Sequence, residues 1–406
     1  MTADTRRLSL GLDDQILDRF DRVAFTVEPG VSSVEVLLAY DTNLGVVDLG
    51  CEGPDGWRGW SGGARQRFVI SPAAATPGYL PGELEPGTWH VFLGLHKIPA
   101  QGLEVTIEIR TPATGHIERE AEVAPAEPAA RTPRELPAPA GLQWIAGDFH
   151  AHTLHSDGCE SVGELAFRAV RAGLDFLAVT DHNTTSHHAS LPHHGARHGI
   201  TLVPGQEVTT SRGHANAFGD IGWVDFREPA DHWVDTVARR GGVLSVNHPI
   251  EYDCSWQHPL TALPEALELW HGSWLGAPES TAPWAFWRRW GTDAVPIGGS
   301  DFHCPDRSGP VGTPTTWVAV EDRTPEAILD AVRAGRTAIS AGPDRGTPVL
   351  LRVEEDLLAV DAESAVLVDE EGRRRRVTSR RERIPQSWGQ GIVHLEDADR
   401  RLLALC

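Results

Sequence analysis

The chain has 406 residues, of which 40% are hydrophobic and 23% are charged, the composition of an ordinary globular protein. Its 57 Asp and Glu residues exceed its 36 Lys and Arg residues, which gives a formal net charge of −21. Because an acidic surface repels phosphates, we expect no long nucleic acid as a partner. Small phosphorylated molecules remain candidate substrates, since bound divalent cations would dominate the charge of a site.

The cysteine pattern and the hydropathy predict a cytoplasmic protein. The five cysteines are scattered and form no C-x-x-C pair, which is more typical of free thiols in a reducing compartment than of a disulfide framework. Residues 1–7 lack the apolar segment of a secretion signal. No apolar run approaches the roughly 20 residues that a membrane span requires, so we expect no membrane association.

Residues 1–112 are predicted to form an antiparallel β-sandwich. Short segments alternate apolar and polar residues, and Gly, Pro, Asn and Asp lie between them at turn-like positions. Alternation with a period of two buries one face of each strand, as in a sandwich. The clearest segments are Arg22–Val27, Ser33–Tyr40, Gln66–Ile70, Thr88–Leu95 and Leu103–Ile109.

Residues 113–142 are predicted to form a linker. This stretch is rich in Ala, Pro and Glu. Proline at this density prevents a regular helix or strand, so we expect a semi-rigid connection or a strap that lies over the surface.

Residues 143–345 alternate strand-like and helix-like segments, the pattern of a mostly parallel α/β sheet. The helix that follows Thr324 has signals at both ends, with Thr at the N-cap, Pro at the first helical position and Gly at the end. The predicted strands are Trp144–Phe149, Phe176–Thr180, Thr201–Gln206, Val243–Asn247, Ala266–Leu269 and Ala294–Gly298, and the other predicted helices are Ser161–Ala172 and Trp233–Arg240.

Residues 346–406 return to alternating, strand-like sequence and predict a short β-rich extension. Arginine runs at 373–376 and 380–383 have two interpretations. They form either the solvated face of a sheet or a clamp for an anionic substrate or partner.

Residues that commonly bind metals follow the predicted strands one after another. In the H-x-H of His150 and His152, side chains two residues apart on a strand point to the same side. The D-x-H of Asp301 and His303 repeats this arrangement, and strand ends of a barrel meet at one rim, where active sites are built. Nitrogen and oxygen donors suit Zn²⁺, Mn²⁺ or Fe²⁺. A single such histidine is usually structural, whereas a series of these residues at successive strand ends indicates a metal site. The series consists of His150, His152, His155, Asp157, Asp181, His182, Glu207, His214, His248, Asp301 and His303.

The motifs H-x-H-x4-D, D-H, E, H, N-H-P and G-S-D-x-H, in this order, resemble the PHP family, the polymerase and histidinol phosphatase metallohydrolases. The resemblance spans residues 145–340. The G-D-F-H-x-H-T opening and the N-terminal β domain are most similar to the branch with small-molecule phosphoesterases and carbaryl hydrolase-like enzymes. The resemblance implies an α/β fold, a distorted (β/α)7 TIM-like barrel, with a trinuclear metal centre.

The resemblance also implies which residues bind the two or three divalent ions, of Mn, Zn or Fe. Every position of the family pattern is filled, so an inactive relative is not expected. The implied ligand sets are His150, His152, Glu207 and Asp301 for the first ion, Glu207, His214 and His248 for the second, with Glu207 bridging, and Asp157, His182 and His303 for the third.

The expected reaction is ester hydrolysis by a hydroxide that bridges two ions, because coordination lowers the pKa of water from about 16 toward 7. Glu207, Asp301 and His303 are the candidate catalytic residues, and Asp301 or His303 could also move a proton. Arg212, Arg307 and His155 are candidates for contacts with substrate. Each arginine could equally be an ordinary surface residue.

Three functions are compatible with these residues. The leading one is hydrolysis of a small phosphate monoester or diester, and the second is hydrolysis of a carboxyl or carbamate ester, since the same nucleophile attacks a carbonyl. Tryptophans 256, 270, 274, 284, 287 and 290 could line an apolar pocket for the second function or simply pack in the core. The third is a metal-stabilised binding module without catalysis. The expected partner is a small ester, and self-association stays open.

Overall fold

The computed structural model describes residues 2–117, 120–127, 134–252, 254–273, 284–285, 287–288, 294–389 and 391–406. Residues 118–119 and 128–133 of the predicted linker lie outside the described residues, as do Trp274 and Trp290. The chain divides into two compact units, residues 1–121, 153–161 and 181–189 in the first and residues 122–152, 162–180 and 190–406 in the second.

The first unit contains two four-stranded antiparallel sheets. Its elements are β1 (Thr2–Leu10), α1 (Leu12–Leu17), β2 (Phe20–Val27), β3 (Val34–Ala39), β4 (Val46–Gly53), β5 (Gly56–Gly62), β6 (Arg67–Ile70), β7 (Gly87–Lys97) and β8 (Leu103–Thr111). The strand orders are β1-β8-β3-β6 and β2-β7-β4-β5. Each segment that the alternation predicted coincides with one of these strands, whereas β1, β4 and β5 were not predicted.

Both sheets of the first unit contribute to one hydrophobic core. Alternate residues of β8, namely Leu103, Val105, Ile107 and Ile109, are buried, and they belong to the same cluster as alternate residues of β7 in the other sheet. Full burial of each such side chain contributes about 1.5–3 kcal/mol. The apolar residues that alternate in the sequence are therefore the residues that are buried.

Glu35 on β3 is a carboxylate that is 1% exposed within the first unit. It accepts hydrogen bonds from Arg67 Nε at 2.7 Å, from Thr114 N at 2.9 Å and Oγ1 at 3.0 Å, and from Gly115 N at 3.2 Å. Burial alone would raise the pKa of Glu35, but these donors outweigh it and lower the pKa from 4.5 to about 2. The ionised carboxylate therefore stabilises the fold above pH 4.5, and this stabilisation is lost as the pH falls toward 2.

Replacement of Glu35 by Gln is expected to lower the free energy of unfolding by about 1–3 kcal/mol at pH 7, because an amide cannot accept from all these donors. The loss should shrink as the pH falls through 4 toward 2. Urea denaturation of both proteins across this range measures it, with the exposed Glu104→Gln on β8 as the control. An equal loss at every pH would contradict the assignment.

The second unit is built on a thirteen-stranded sheet with few helices. Its first elements are β9 (Gln143–Asp148), α2 (Val162–Ala172), β10 (Phe176–Val179), α3 (Leu191–His198), β11 (Thr201–Thr210), β12 (Gly213–Phe218), α4 (Ala230–Arg239), β13 (Val243–Val246), β14 (Ala266–His271), β15 (Val295–Gly299), β16 (Thr315–Val320), α5 (Pro325–Arg333) and β17 (Thr337–Ser340). The six predicted strands and three predicted helices all lie within one to four residues of these bounds. Thr324 caps α5 as predicted, since its Oγ1 accepts from Ala327 N at 3.2 Å.

The sheet is mixed, which corrects the expectation of a mostly parallel one. β9, β10 and β11 are parallel neighbours, as are β13, β14 and β15, but β12 lies antiparallel between β11 and β13. β12 was not predicted, because its sequence, Gly-His-Ala-Asn-Ala-Phe, has no β-branched residue. Gly213, at φ +116°, allows the tight reversal that begins this strand.

The chain continues from β17 into the C-terminal strands β18 (Val349–Val353), β19 (Asp356–Val360), β20 (Val366–Val368), β21 (Arg374–Arg376), β22 (Arg381–Pro385), β23 (His394–Glu396) and β24 (Leu402–Leu405). The large sheet has the order β15-β14-β13-β12-β11-β10-β9-β16-β17-β24-β23-β20-β21. Its end strand β15 also meets β16, since Thr316 Oγ1 accepts from Gly298 N at 2.8 Å and donates to Gly298 O at 2.9 Å.

Five of the seven arginines in the C-terminal runs lie in ion pairs. Arg375 pairs with Glu382 at 2.5 Å, and Arg380 pairs with Asp361 at 2.6 Å. The remaining pairs include Arg373 with Asp369, Arg374 with Glu396, and Arg383 with Glu354. Neighbouring carboxylates therefore pair with most of these guanidinium groups, which favours the interpretation as a solvated face.

The described tryptophans of residues 256–287 pack in the core. Trp270 and Trp287 are buried, and Trp256 and Trp284 pack against the same cluster. This favours core packing over a pocket wall.

Two further expectations concern membranes and thiols. Among the described residues, no helix has the length and the apolar character needed to cross a membrane. Cys51, Cys254 and Cys406 are free, as expected. Cys159 and Cys304 are each disulfide-bonded, so the expectation of free thiols is wrong for them; distant cysteines leave no spacing signal in the sequence.

Candidate metal centre

Asp148 fixes the end of β9, from which the first two predicted ligands follow. This buried carboxylate accepts from His150 N and Ser300 N, both at 3.0 Å, and from Gly312 N at 2.8 Å. Ser300 Oγ also donates to it at 2.5 Å. Burial raises the pKa of Asp148, although these hydrogen bonds lower it in part. Asp148 thus ties the end of β9 to the segment after β15, which carries Asp301.

His150 is fully buried and lies among three carboxylates. Its Nε2 lies 3.2 Å from Glu207 Oε1 and 3.1 Å from Asp301 Oδ1. Its Nδ1 lies 3.0 Å from Glu268 Oε1, so Glu268 orients the ring. Nε2 makes no hydrogen bond among the described residues, although it is buried. A polar atom in this position, facing two carboxylate oxygens, is suited to a cation.

Glu207, at 1% exposure on β11, is the centre of the cluster. Its Oε1 lies 3.2 Å from each of His150 Nε2, His214 Nδ1 and His248 Nε2. Its Oε2 lies 3.6 Å from His152 Nε2. Asn247 Nδ2 donates to Oε1 at 2.8 Å and fixes the carboxylate. The four histidines predicted to bind the first two ions therefore surround one carboxylate, an arrangement that suits a bridging role.

Asp301 lies on the other side of the histidine pair. Its Oδ1 is 3.0 Å from His152 Nε2, and its Oδ2 is 3.2 Å from His271 Nε2. The φ of Asp301 is +52°, and that of His248 is +25°. Non-glycine residues in this region are strained, and such strain is typical of functional sites.

His303 lies beside this group. Its ring stacks on that of His152 with centroids 4.2 Å apart, and its Nδ1 lies 2.9 Å from Asp301 O. Its backbone N donates to Ser308 Oγ at 2.8 Å. The structure thus places the D-x-H residues against the H-x-H residues.

The electrostatics of the cluster favour bound positive charge. Burial alone would lower the pKa of His150, but the surrounding carboxylates raise it well above its ordinary value. The pKa of His248 is likewise raised, against burial, by Cys254 and Glu207. Burial would raise the pKa of Asp301, but the neighbouring imidazoles lower it well below its usual value. The carboxylates therefore stabilise positive charge here, which divalent cations would supply.

Donor atoms in the second unit lie close enough to share ions. Three sets have all their donor atoms within 4.8 Å of one another, namely His150, His152 and Glu207; His150, His271 and Asp301; and His214, His248 and Cys254. The nitrogen and carboxylate donors fit a divalent transition metal. The residues therefore fit divalent metal ions, while the number of ions and the predicted ligand sets stay predictions.

Sequence reasoning missed Glu268, His271 and Cys254. The predicted strand ended at Leu269, whereas β14 continues to His271. The register of β14 against β15 shifts between Glu268 and Trp270. A shift of this kind breaks the alternation, so that Glu268 and His271, three residues apart, both contact the cluster. The acidic and imidazole side chains near a strand end were the available signal.

The first unit contains the remaining predicted ligands. His182 Nε2 lies 3.5 Å from Asp157 Oδ1. Asp181 is fully buried and accepts from Thr153 N at 2.8 Å, Thr153 Oγ1 at 2.7 Å and Ser156 Oγ at 2.6 Å, so it holds the segment that carries Asp157. The third ion set stays a prediction.

Asp48 on β4 is a further carboxyl of the first unit that sequence reasoning missed. Burial raises its pKa from 3.8 to about 7, and the charge of His182 lowers it in part. A carboxyl that titrates near neutrality is a frequent feature of functional sites.

The three predicted substrate contacts have partners of their own. His155 in the first unit has Nδ1 2.6 Å from Ser186 Oγ and Nε2 2.9 Å from Glu120 Oε1. Arg212 is exposed and donates to Gln257 O at 2.8 Å. Arg307 is exposed and lies 3.0 Å from Cys304 Sγ. Contacts between these residues and substrate stay predictions.

Comparisons with known proteins give local matches. No family model matches the chain. It is 42% identical over 65 residues to the 5'-3' exoribonuclease Rnm of Escherichia coli K12, and 38% identical over 65 residues to Rnm of Salmonella typhimurium. Each match covers 16% of this chain and 22% of the relative, so the chain aligns with about a fifth of their length.

Similar solved structures have low sequence identity. One is a two-domain protein from Bacteroides vulgatus that contains a predicted PHP-like metal-dependent phosphoesterase, with 18% identity, a TM-score of 0.41, and coverage of 71% of this chain and 98% of that chain. Another is an amidohydrolase from Chromobacterium violaceum, with 18% identity, a TM-score of 0.34, and coverage of 48% and 98%.

Proposed function

We propose that this protein is a metal-dependent phosphoesterase that hydrolyses a small phosphate monoester or diester. The observation that carries the proposal is Glu207, a buried carboxylate with three imidazole nitrogens at 3.2 Å from one oxygen and a fourth at 3.6 Å from the other. A carboxylate so placed can bridge two cations. The first ion would be held by His150, His152, Glu207 and Asp301, and the second by Glu207, His214 and His248.

Divalent ions at this centre would supply Lewis-acid chemistry, since they lower the pKa of bound water and neutralise charge on ester oxygens. The chain's own residues prepare the site. Glu268 holds a proton at His150 Nδ1, which directs the Nε2 lone pair toward Glu207 and Asp301. Burial of His150 and Glu207 excludes bulk water from their donor atoms and strengthens their electrostatic interactions.

For the fold we propose the distorted (β/α)7 barrel and the β-sandwich. The hydrogen bonds of Thr316 with Gly298 support the barrel, because they join the end strand β15 to β16. The shared core of the two four-stranded sheets supports the sandwich.

A second candidate is hydrolysis of short ribonucleotide chains at a phosphodiester bond. The local match to the exoribonuclease Rnm, 42% identical over 65 residues, favours it. The net charge of −21 opposes the binding of long RNA, so a short oligonucleotide is the candidate substrate.

Metal removal and restoration test the proposal. Protein stripped with EDTA should lose ester hydrolysis, and Mn²⁺, Zn²⁺ or Fe²⁺ should restore it, with two or more ions per chain counted by mass spectrometry. Saturating metal, at about 100 times its Kd, should also stabilise the fold by about 2.7 kcal/mol. The exposed His232→Ala serves as a matched control for His150→Ala, which should lose both metal and activity.

The substrates in the assay separate the candidates. p-Nitrophenyl phosphate, bis-p-nitrophenyl phosphate, a short RNA and p-nitrophenyl acetate are compared with one enzyme preparation. Cleavage of either nitrophenyl phosphate supports the leading proposal, and cleavage of RNA supports the second candidate. Cleavage of the acetate alone would replace both with a carbonyl ester hydrolase. A wild-type chain that binds no metal would overturn all three.

A further inference from the structure

His271 is a buried histidine of the cluster that lies outside the nine predicted ligands. It ends β14 and is 5% exposed. Its Nε2 lies 3.2 Å from Asp301 Oδ2, and its ring centroid lies 6.1 Å from that of His150 and 5.1 Å from that of His248. His271 thus faces the same carboxylate as His150, from the oxygen that His150 does not contact.

The other ring nitrogen of His271 is held by a polar chain. Nδ1 lies 2.8 Å from Ser273 Oγ, and Ser273 Oγ donates to a carboxylate oxygen of Glu251. A carboxylate only accepts, so the hydroxyl proton of Ser273 is directed to Glu251 and its oxygen is free to accept from Nδ1–H. The Ser273 backbone N–H also points to Nδ1, at the longer distance of 3.3 Å. The shorter contact, with Oγ at 2.8 Å, is the one that a protonated Nδ1 makes.

When Nδ1 carries the ring proton, the lone pair of Nε2 faces Asp301. An imidazole lone pair and a carboxylate oxygen 3.2 Å apart repel each other unless a positive charge lies between them. That charge is either a second proton on the ring, which gives a simple ion pair, or a metal ion. His150 is built in the same way, with Nδ1 on Glu268 and Nε2 toward Asp301. Metal-binding histidines usually have their second nitrogen held in this manner.

We propose that His271 is an additional metal ligand, which shares the first ion with His150 and Asp301. The donor atoms of these three residues all lie within 4.8 Å of one another. The inference rests on the proposed metal centre and adds a residue of this chain to it. An added imidazole shifts the site toward borderline transition metals such as Zn²⁺, Fe²⁺ or Co²⁺ and away from Mg²⁺, which prefers oxygen ligands.

The test compares His271→Gln with the exposed His232→Gln. Stripped proteins are titrated with Zn²⁺ against a chromophoric chelator, and their Co²⁺-loaded forms are compared by visible absorption. We expect His271→Gln to lower the affinity of one site by at least about 10–100-fold and to change the Co²⁺ spectrum. The second ion and the His232→Gln protein should be unaffected.

The Ser273→Ala variant keeps the test decisive if His271→Gln fails to fold, because Ser273 is exposed and its hydroxyl contacts the cluster through Nδ1 of His271. It should weaken the same site to a smaller extent. Wild-type Zn²⁺ affinity and an unchanged Co²⁺ spectrum in the folded variants would overturn the inference and leave a direct hydrogen bond or ion pair with Asp301. Absence of metal from the wild-type protein would instead overturn the proposed function.

Discussion

Replacement of Glu207 by Gln is expected to reduce both metal affinity and ester hydrolysis by at least about 100-fold, the upper end of the loss seen when a partner of a metal ligand is removed. The amide has the shape of the carboxylate, so steric change is small. It removes the negative charge that faces His150, His214 and His248, and it replaces one acceptor oxygen with a donor. Because Glu207 is proposed to bridge both ions, both should be affected together.

Metal content and kcat/KM of the Glu207→Gln protein are measured beside those of Glu228→Gln, which changes an exposed carboxylate outside the centre. Circular dichroism shows whether the fold is kept. Loss of one ion with retention of the other would mean that Glu207 binds without bridging. Full metal content with wild-type activity would mean that Glu207 is not a metal ligand, and the proposed function would lose its main support.

The elements that carry the site could largely be predicted from sequence, because each is a short apolar run followed by a polar ligand. β9 and β10 show this, and the face shared by His150 and His152 follows from the period of a strand. The hairpin of β11 and β12 could not be predicted, since Gly213 and the small residues of β12 give a weak strand signal.

The residues that orient the ligands were harder to predict than the ligands. Glu268 lies in no motif, and Asp148 lies in the G-D-F-H-x-H-T opening without any sign of its orienting role. The roles of both depend on contacts with residues 118–164 positions away in the chain. The irregularity in β14 cannot be derived from its sequence, so His271 was left outside the predicted site. Spacing can therefore identify ligands on regular strands, whereas their partners depend on tertiary packing.

Replacement of Gly299 by Ala is expected to destabilise the fold and to weaken the first metal site together. A Cβ at this position would lie 2.4 Å from His150 Cβ, 2.5 Å from Glu268 Oε1 and 3.1 Å from His150 N. Two of these atoms, N and Cβ of His150, are held by the backbone just after β9, so they cannot rotate away. Overpacking of this kind costs typically about 1–3 kcal/mol. The close approach of His150 and Glu268 to Gly299 thus explains the glycine of the G-S-D motif.

Gly309→Ala is the matched control, because a Cβ there would meet no atom within 4 Å. Urea unfolding of the stripped proteins gives the cost in stability, and Zn²⁺ titration gives the cost in binding. The free energy of unfolding and the Zn²⁺ affinity should both fall in Gly299→Ala, since the new methyl group moves His150 away from Glu207 and Asp301. Neither should fall in Gly309→Ala. Lost stability with unchanged metal affinity would mean that the chain around Gly299 relaxes without moving His150 away from Glu207 and Asp301, and the expected coupling of fold stability to metal binding would be wrong.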